Sequence, residues 1–285
     1  MQITKTIFIY TKKNIEYIVF IILIIILVIL ISKRNFEGFF SEQNGINRLD
    51  AIIYINLENR KDRKDLLLAE LESLNTNMSK VHKVSGVYMP KNGHKGCIQS
   101  HILALNMIKL NKWNRVLILE DDAELDTTPD IVNNIINNAL DTLDAQNPNW
   151  NVIMLATANK ILVKSGNSYD LNISTGNGGN GGNGGNDDEN NNNINTDNIK
   201  IEKLISATTS SAYIVKESYV DSILDLFKTC NNNMKHNMLS GNKFEYWALD
   251  QKWASLQKKD NWYAISPDPI KQRAIWSTIL NESHK

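Results

Sequence analysis

The run Val116-Leu-Ile-Leu-Glu-Asp-Asp122 joins four apolar residues to three consecutive acids. Its apolar part is typical of a buried strand in a parallel sheet. Such strands present their carboxyl ends to the ligand crevice, so Glu120, Asp121 and Asp122 are expected at a binding edge. Three crowded carboxylates repel one another unless a cation neutralises them, and Mg²⁺ or Mn²⁺ suits such a set. Taken alone, the run is equally compatible with a solvated turn in which Asp122 caps the following helix.

Strands and helices alternate outward from this run. Strands are predicted at residues 51–57, 81–84, 116–119 and 151–155, and helices at residues 61–74, 97–110 and 131–143. This alternation predicts the α/β class, with a mostly parallel sheet flanked by helices. Further along, strands are expected at residues 199–205, 211–215 and 262–265, and helices at residues 218–230 and 247–256.

The composition of the chain bears on nucleic-acid binding and on the state of its cysteines. The chain has 31 Lys and Arg against 31 Asp and Glu, so its formal net charge is zero. Because no basic face interleaved with aromatic residues is present, nucleic acid is not expected as a partner. The two cysteines, Cys97 and Cys230, lack a C-x-x-C zinc spacing. Reduced thiols are the expectation, and a single bridge in an oxidising compartment stays open.

The amino terminus carries a membrane signal. Residues 17–31 contain no charge, three lysines precede them, and Lys33-Arg34 follows. We expect an uncleaved transmembrane helix within residues 17–32 and, from the lysine excess, a single-pass type II orientation. A cleaved signal peptide and a buried soluble helix are the alternatives.

Three further segments complete the expected organisation. Residues 1–34 would form the cytosolic tail and anchor, 35–48 a polar stem, and 49–285 the folded domain. Within that domain, a Gly/Asn-rich tract at about residues 165–198 has almost nothing to bury. We therefore expect a disordered insertion there, with a functional lid as the alternative.

Two other motifs carry polar residues at expected strand or helix ends. Arg60 and Arg63 follow the first strand, where they suit a diphosphate, although solvated helix-surface charges would look the same. Ser100 and His101 lie in the first turn of the next helix. Adjacent side chains diverge on a helix, so the two are not a nucleophile–base pair.

These motifs together resemble glycosyltransferase family 25. The resemblance rests on Tyr54-Ile-Asn-Leu-x-x-Arg60-x-Asp-Arg63, Gly96-Cys-x-x-Ser-His101 and Val116-Leu-Ile-Leu-Glu-Asp-Asp122. Trp247-Ala-Leu-Asp250 and the Pro269-x-x-Gln272 element agree more weakly. Ser210-Ser211 stands where the family ordinarily has a glycine before the tyrosine, so the role of that loop is open.

The resemblance implies a GT-A-like fold, a UDP-sugar donor (most often UDP-galactose) and a bound Mn²⁺ or Mg²⁺. It implies metal ligands among Glu120, Asp121 and Asp122. Nucleotide contacts are implied at Asn56, Arg60, Arg63, Ser100 and His101. Asp250 would be the catalytic base or an acceptor-binding residue; the alternative is a helix residue that faces water or pairs with Lys252.

The implied function is an inverting hexosyl transfer to a glycan, a lipid-linked sugar or a collagen-like protein. A type II enzyme of this kind would face a secretory-pathway lumen in a eukaryotic or viral-host setting, or lie in a bacterial inner membrane. A catalytically inactive, membrane-tethered relative is the alternative function, and a metal-dependent phosphohydrolase is a third.

Overall fold

The fold is described from a computed structural model. It describes residues 45–164, 168–173, 198–234 and 245–274, together with residue 24 and the backbone of 276–277 and 282–283. The chain divides into two compact units, Met1–Gln43 and Asn44–Lys285, and the fold below is that of the second. The expected anchor at 17–32, apart from residue 24, lies outside the described part of the chain. Within that part, no helix has the length and apolar character needed to cross a membrane.

The described unit contains six α-helices and thirteen strands, numbered here in chain order. The helices are α1 (Lys61–Ser73), α2 (Gly93–Asn111), α3 (Pro129–Gln146), α4 (Glu217–Asn233), α5 (Leu249–Lys252) and α6 (Ala254–Lys259). The strands are β1 (Ala51–Asn56), β2 (Val81–Ser85), β3 (Arg115–Glu120), β4 (Ala123–Leu125), β5 (Val152–Met154), β6 (Ala158–Leu162), β7 (Ser168–Asp170), β8 (Lys200–Thr208), β9 (Ala212–Lys216), β10 (Trp262–Ser266), β11 (Ile270–Gln272), β12 (Trp276–Ser277) and β13 (Glu282–Ser283). Short 3-10 helices lie at Gly45–Arg48, Met78–Lys80 and Glu245–Trp247.

A nine-stranded sheet forms the centre of the domain. Its order is β2-β1-β3-β9-β5-β10-β8-β6, and β7 also pairs with β8. Strands β2, β1 and β3 pair in parallel, as do β5 and β10, whereas β9 is antiparallel to both β3 and β5. The predicted α/β class is therefore confirmed. The five strands β2, β1, β3, β5 and β10 share one direction, and β8 and β9 run against them.

Both faces of the sheet are covered by helices, which explains why its central strands are apolar at nearly every position. All six residues of β1 are buried, and the first five, Ala51 to Ile55, alternate between two hydrophobic clusters. Ile52 packs with residues of α1 and α3, whereas Ile53 packs with residues of α2 and α4. The two clusters hold the strands in register, and so fix where each strand ends.

A small two-stranded sheet brings a distant segment to the acidic run. Strand β11 pairs antiparallel with β4, placing Gln272 opposite Ala123. The backbone N–H of Arg273 donates to the carbonyl of Asp122 at 2.6 Å. Neither β4 nor β11 was expected from the sequence, because three-residue strands carry too little periodicity to be recognised.

Three other expectations need correction. The helix expected at 247–256 is instead a 3-10 turn, α5 and α6, interrupted at Trp253. That indole is fully buried and donates to the carbonyl of Ala207, so tertiary packing sets the break. In the tract expected to be disordered, Ser168–Asp170 forms β7 against β8, and residues 174–197 lie outside the described part. At the end of the expected stem, Gly45–Arg48 packs into the domain.

Candidate active site

A cavity of about 490 Å³ opens where β1, β2 and β3 end. Glu120, Asp121 and Asp122 all line it, as expected for residues at the carboxyl end of a parallel strand. Its wall near α2 includes Val87, Tyr88, Cys97, Ser100 and His101. Segments later in the chain contribute Asn159, Thr208, Thr209, Ser210, Asp250 and Gln272 to its lining. The cavity is thus lined by carboxylates at its base and by mixed polar and apolar groups on both sides.

Glu120, the last residue of β3, is held by donors from both walls. Its Oε1 accepts from Ser210 Oγ and lies 3.2 Å from His101 Nε2. The other ring nitrogen of His101, Nδ1, lies 3.0 Å from the hydroxyl of Tyr213. Burial is the largest influence and raises the pKa of Glu120, but the hydrogen bonds from His101 and Ser210 and the charges of His101 and Arg63 together outweigh it, so the net pKa shift is downward. Glu120 is therefore a carboxylate held by a buried histidine.

Asp121 faces the amino-terminal motif. Its Oδ1 accepts from Arg63 Nη1 at 2.9 Å, and its Oδ2 accepts from Asn56 Nδ2 at 2.9 Å. Both Arg63 and Asp121 are buried. Asn56, at the end of β1, and Arg63, in α1, thus each donate to one carboxylate oxygen of Asp121.

Asp122 receives donors from the far end of the chain. Gln272 Nε2 donates to its Oδ2 at 3.0 Å, Ser211 Oγ lies 3.5 Å from Oδ1, and Arg63 Nη1 lies 3.8 Å from Oδ2. Burial and the nearby charge of Glu120 raise the pKa of Asp122 to about 7. A buried carboxylate that resists ionisation beside two others has the electrostatic character of a cation site.

The motif Gly96-Cys-x-x-Ser-His101 forms the first turns of α2 and shapes the cavity wall. A Cβ atom at Gly96 would lie 2.4 Å from the carbonyl oxygen of Val87. Ser100 Oγ accepts from the N–H of Val87 at 2.8 Å and donates to the carbonyl of Gly96 at 2.7 Å. Gly96 and Ser100 therefore hold the β2–α2 loop tightly against the helix, while His101 turns toward Glu120.

The structure separates the two arginines that the sequence pairs. Arg63 is buried in the cavity, but the Arg60 guanidinium bonds Asp62 at 2.7 Å and does not line the cavity. The carbonyl of Arg60 accepts from Asn56 Nδ2. The Arg60 side chain is paired with Asp62, two residues away, so Arg60 contributes to this loop through its backbone carbonyl.

Asp250 lies at the start of α5 and lines the cavity. Its Oδ2 accepts from the N–H of Thr209 at 3.1 Å, and burial is the main cause that raises its pKa. Lys252, the alternative partner considered for Asp250, lies over the rings of Tyr246 and Trp247. The position of Asp250 is compatible with the role implied for it, which stays a prediction.

Several contributors to the cavity have no local signal in the sequence. Ser210 and Tyr213 lie beside Glu120 because β9 pairs with β3, and this crossing joins segments about ninety positions apart. The Ser210-Ser211 departure from the family pattern supplies hydroxyls to Glu120 and Asp122. A spacing of four between Cys97 and His101 could have placed both on one helix face.

Residues 50–239 match the model of glycosyltransferase family 25, described as an LPS biosynthesis protein. The chain belongs to this family. Membership in it makes the protein a glycosyltransferase, and the resemblance stated from the three motifs is confirmed. No curated protein matches the chain at a significant level.

Solved structures with some similarity to this chain include three distant examples, each 10% identical to it. A mannose-1-phosphate geranyltransferase from Thermus thermophilus has a TM-score of 0.38, with 78% of this chain and 73% of that chain covered. A197 from STIV has a TM-score of 0.34, with 76% and 81% covered. A glycosyltransferase involved in the glycosylation of the major capsid of PBCV-1 also has a TM-score of 0.34, with 75% and 91% covered.

Proposed function

We propose that this glycosyltransferase moves a hexose, galactose in the first instance, from a UDP-sugar to an acceptor hydroxyl with the help of Mn²⁺ or Mg²⁺. The observation that carries the proposal is the set of three carboxylates at the cavity base, accompanied by one buried guanidinium, Arg63. Hard divalent ions take carboxylate oxygens together with substrate phosphates. A GT-A-like arrangement, with the donor diphosphate at the ends of β1 and β3, is consistent with this edge of the sheet.

The three acids differ in how well they suit a metal. Asp121 already has a cationic partner in the buried guanidinium of Arg63 at 2.9 Å, so its role is to hold Arg63 and Asn56. Asp122 has the raised pKa and the buried position of a carboxylate in need of a cation. We assign Asp122 as the principal ligand and Glu120 as the second. A bound ion would neutralise charge on the diphosphate leaving group.

The remaining residues would position the substrates and accept the proton that the acceptor hydroxyl loses. The acceptor oxygen forms a bond to the anomeric carbon while the bond from that carbon to the diphosphate breaks. The hydroxyl proton passes to the Asp250 carboxylate, whose raised pKa suits a general base. Attack from the face opposite the leaving group inverts the anomeric configuration. Arg63 contributes positive charge on the diphosphate side.

Donor binding and turnover are the test. UDP-galactose and other UDP-sugars are incubated with the full chain and Mn²⁺, and free UDP is measured alongside the shift in Tm caused by UDP plus Mn²⁺. We expect slow UDP release without acceptor, faster release with the right acceptor, and loss of both when the metal is chelated.

Each alternative gives a different result. A Tm shift without turnover of any UDP-sugar would identify an inactive binding relative. Absence of both the shift and turnover would contradict the donor assignment altogether. Phosphate release from simple phosphoesters would instead indicate a phosphohydrolase.

We also propose that residues 17–32 anchor the enzyme as a single-pass type II membrane protein, which would place the catalytic unit near glycan, lipid-linked or protein acceptors. The support is the uncharged run and its flanking lysines. The protein should then stay with membranes after alkaline extraction, and a form lacking residues 1–34 should be released. Release of the intact chain would contradict the anchor.

A further inference from the structure

Three different metal-ligand side chains converge in the α2 wall of the cavity. Cys97 Sγ, a ring nitrogen of His101 and a carboxylate oxygen of Glu120 lie within 4.8 Å of one another. Cys97 and His101 are one helical turn apart on α2, which puts both on the same face, and Glu120 ends the neighbouring β3. All three line the cavity, so an ion from solvent can reach them.

We propose that Cys97, His101 and Glu120 form a second cation site, selective for thiophilic divalent ions of the Zn²⁺ class. A thiolate, an imidazole and a carboxylate are a ligand set that Zn²⁺ accepts, with a fourth position left open toward the cavity. Mn²⁺ and Mg²⁺ prefer an all-oxygen environment, which the acids at the cavity base offer instead. The two sites would share Glu120 and differ in chemistry.

The separation of the ligand atoms fits this coordination. His101 Nε2 and Glu120 Oε1 are 3.2 Å apart. Two atoms at that separation, each about 2.0–2.1 Å from Zn²⁺, subtend about 100° at the ion, near the tetrahedral value. A sulfur at about 2.3 Å from the ion would lie about 3.5 Å from the nitrogen. In the structure the ligand atoms lie within 4.8 Å of one another. A rotation of the Cys97 side chain that moves Sγ by about 1 Å would bring the sulfur to the separation from the nitrogen that Zn²⁺ requires.

The surroundings of His101 also match a metal ligand. Its Nδ1 lies 3.0 Å from the hydroxyl oxygen of Tyr213, and its side chain is fully buried. A metal-binding imidazole ordinarily donates its remaining N–H to a second group that fixes the ring. On binding, the ring proton would lie on Nδ1 and be donated to Tyr213, the Cys97 thiol would release one proton, and no redox partner is required.

Co²⁺ titration of the purified, reduced full-length chain is the test, because a cobalt–thiolate bond gives a charge-transfer absorption that oxygen ligands do not. We expect this band in the natural chain, together with d–d bands of tetrahedral intensity, and expect Zn²⁺ to abolish both by displacement. The other cysteine, Cys230, is buried among apolar residues of α4 and provides a matched control. The band should persist in Cys230→Ser and disappear in Cys97→Ser.

Further variants separate a built site from chance thiol binding. Tyr213→Phe keeps all three ligands but removes the outer partner of His101, and should weaken Zn²⁺ binding by about 10-fold or more. Cys97→Ala repeats the key variant if circular dichroism shows that Cys97→Ser does not fold. Absence of the band in the natural chain, or its persistence in folded Cys97 variants, would overturn the proposal.

This test does not depend on the donor chemistry. Asp122→Asn should retain the cobalt–thiolate band even though it is expected to lose sugar transfer. A chain that fails to bind UDP but shows the band would therefore separate the second site from the proposed function.

Discussion

The two halves of the central sheet supply the cavity in different ways. In the half formed by β2, β1 and β3, functional side chains end a strand or lie in the first turn of the next helix, as Asn56, Arg63 and Glu120 do. From β9 onward, Ser210 reaches the same acids only through the antiparallel pairing of β9 with β3, and Gln272 only through the separate two-stranded sheet of β4 and β11. Parallel strands with helical crossovers leave a local sequence signature, whereas antiparallel returns over long separations do not.

Asp122 is the point at which the two halves meet, so its replacement gives the largest expected effect. Asp122→Asn should lower metal-dependent transfer by about 10²–10³-fold, because charge stabilisation at the leaving group is lost while the side-chain volume is kept. The measurement is UDP release under saturating UDP-sugar and Mn²⁺. Asp126→Asn, which replaces an acid directly after β4 that pairs with Lys271 outside the cavity, should stay within about 2-fold of the natural rate. Near-normal activity of Asp122→Asn would make the metal assignment wrong.

Within the first half, the two arginines of one motif should differ sharply in their contribution to stability. Arg63→Met leaves Asp121 buried without its guanidinium partner and should lower the free energy of unfolding by about 3–5 kcal/mol. Arg60→Met breaks a pair in which the acid, Asp62, is exposed to solvent, and should cost less than about 1 kcal/mol. Urea denaturation of both variants checks this. Equal losses would show that the contrast in burial does not govern these residues.

The packing of the β2–α2 loop predicts the next effect. Gly96→Ala should lower the free energy of unfolding by about 1–3 kcal/mol, since the added Cβ would meet the Val87 carbonyl at 2.4 Å. The gain in helix propensity, about 1 kcal/mol, acts in the opposite direction. Thermal unfolding of the purified variant is the measurement. A Tm equal to or above that of the natural chain would show that the loop can move away freely.

The stability of the metal-free protein should depend on pH through Asp122. Its pKa is about 7 in the fold against 3.8 for an ordinary aspartate, so the folded state binds more protons between these values. The free energy of unfolding therefore falls as pH rises through that window. Asp122→Asn removes the carboxylate, and at about pH 8 it should be more stable than the natural chain by at least about 1 kcal/mol, or about 2–4 °C in Tm. Parallel pH profiles of the two chains would contradict this.

The smallest effect is expected between β7 and β8 in the second half. Deleting residues 176–193 should change the free energy of unfolding by less than about 1 kcal/mol, since loop-closure entropy varies slowly with length. Transfer rates should stay within about 2-fold, because the deleted tract has almost nothing to bury. A large loss of activity with an unchanged Tm would show that this Gly/Asn-rich tract works as a lid.

Much of the first half of the site could be predicted from the chain alone. The apolar runs before Glu120 and after Asp50 indicate buried strands, and their ends place Asn56, Arg63 and the acids at one edge. A helix was expected at residues 97–110, but its actual start at Gly93 depends on Asn92, whose side chain accepts from the N–H of Lys95. The different fates of Arg60 and Arg63 could not be predicted, because both are close to the strand end in sequence.

The sequence by itself determined the α/β class, the family, and the acidic run as the centre of the site, because these depend on local periodicity and short motifs. Tertiary structure alone decided that β9 would run against its neighbours and that Gln272 would reach Asp122. It also decided that Cys97, His101 and Glu120 would converge. Such contacts depend on how the apolar faces of distant elements pack together. That packing involves the whole core, so no single segment of the sequence predicts it.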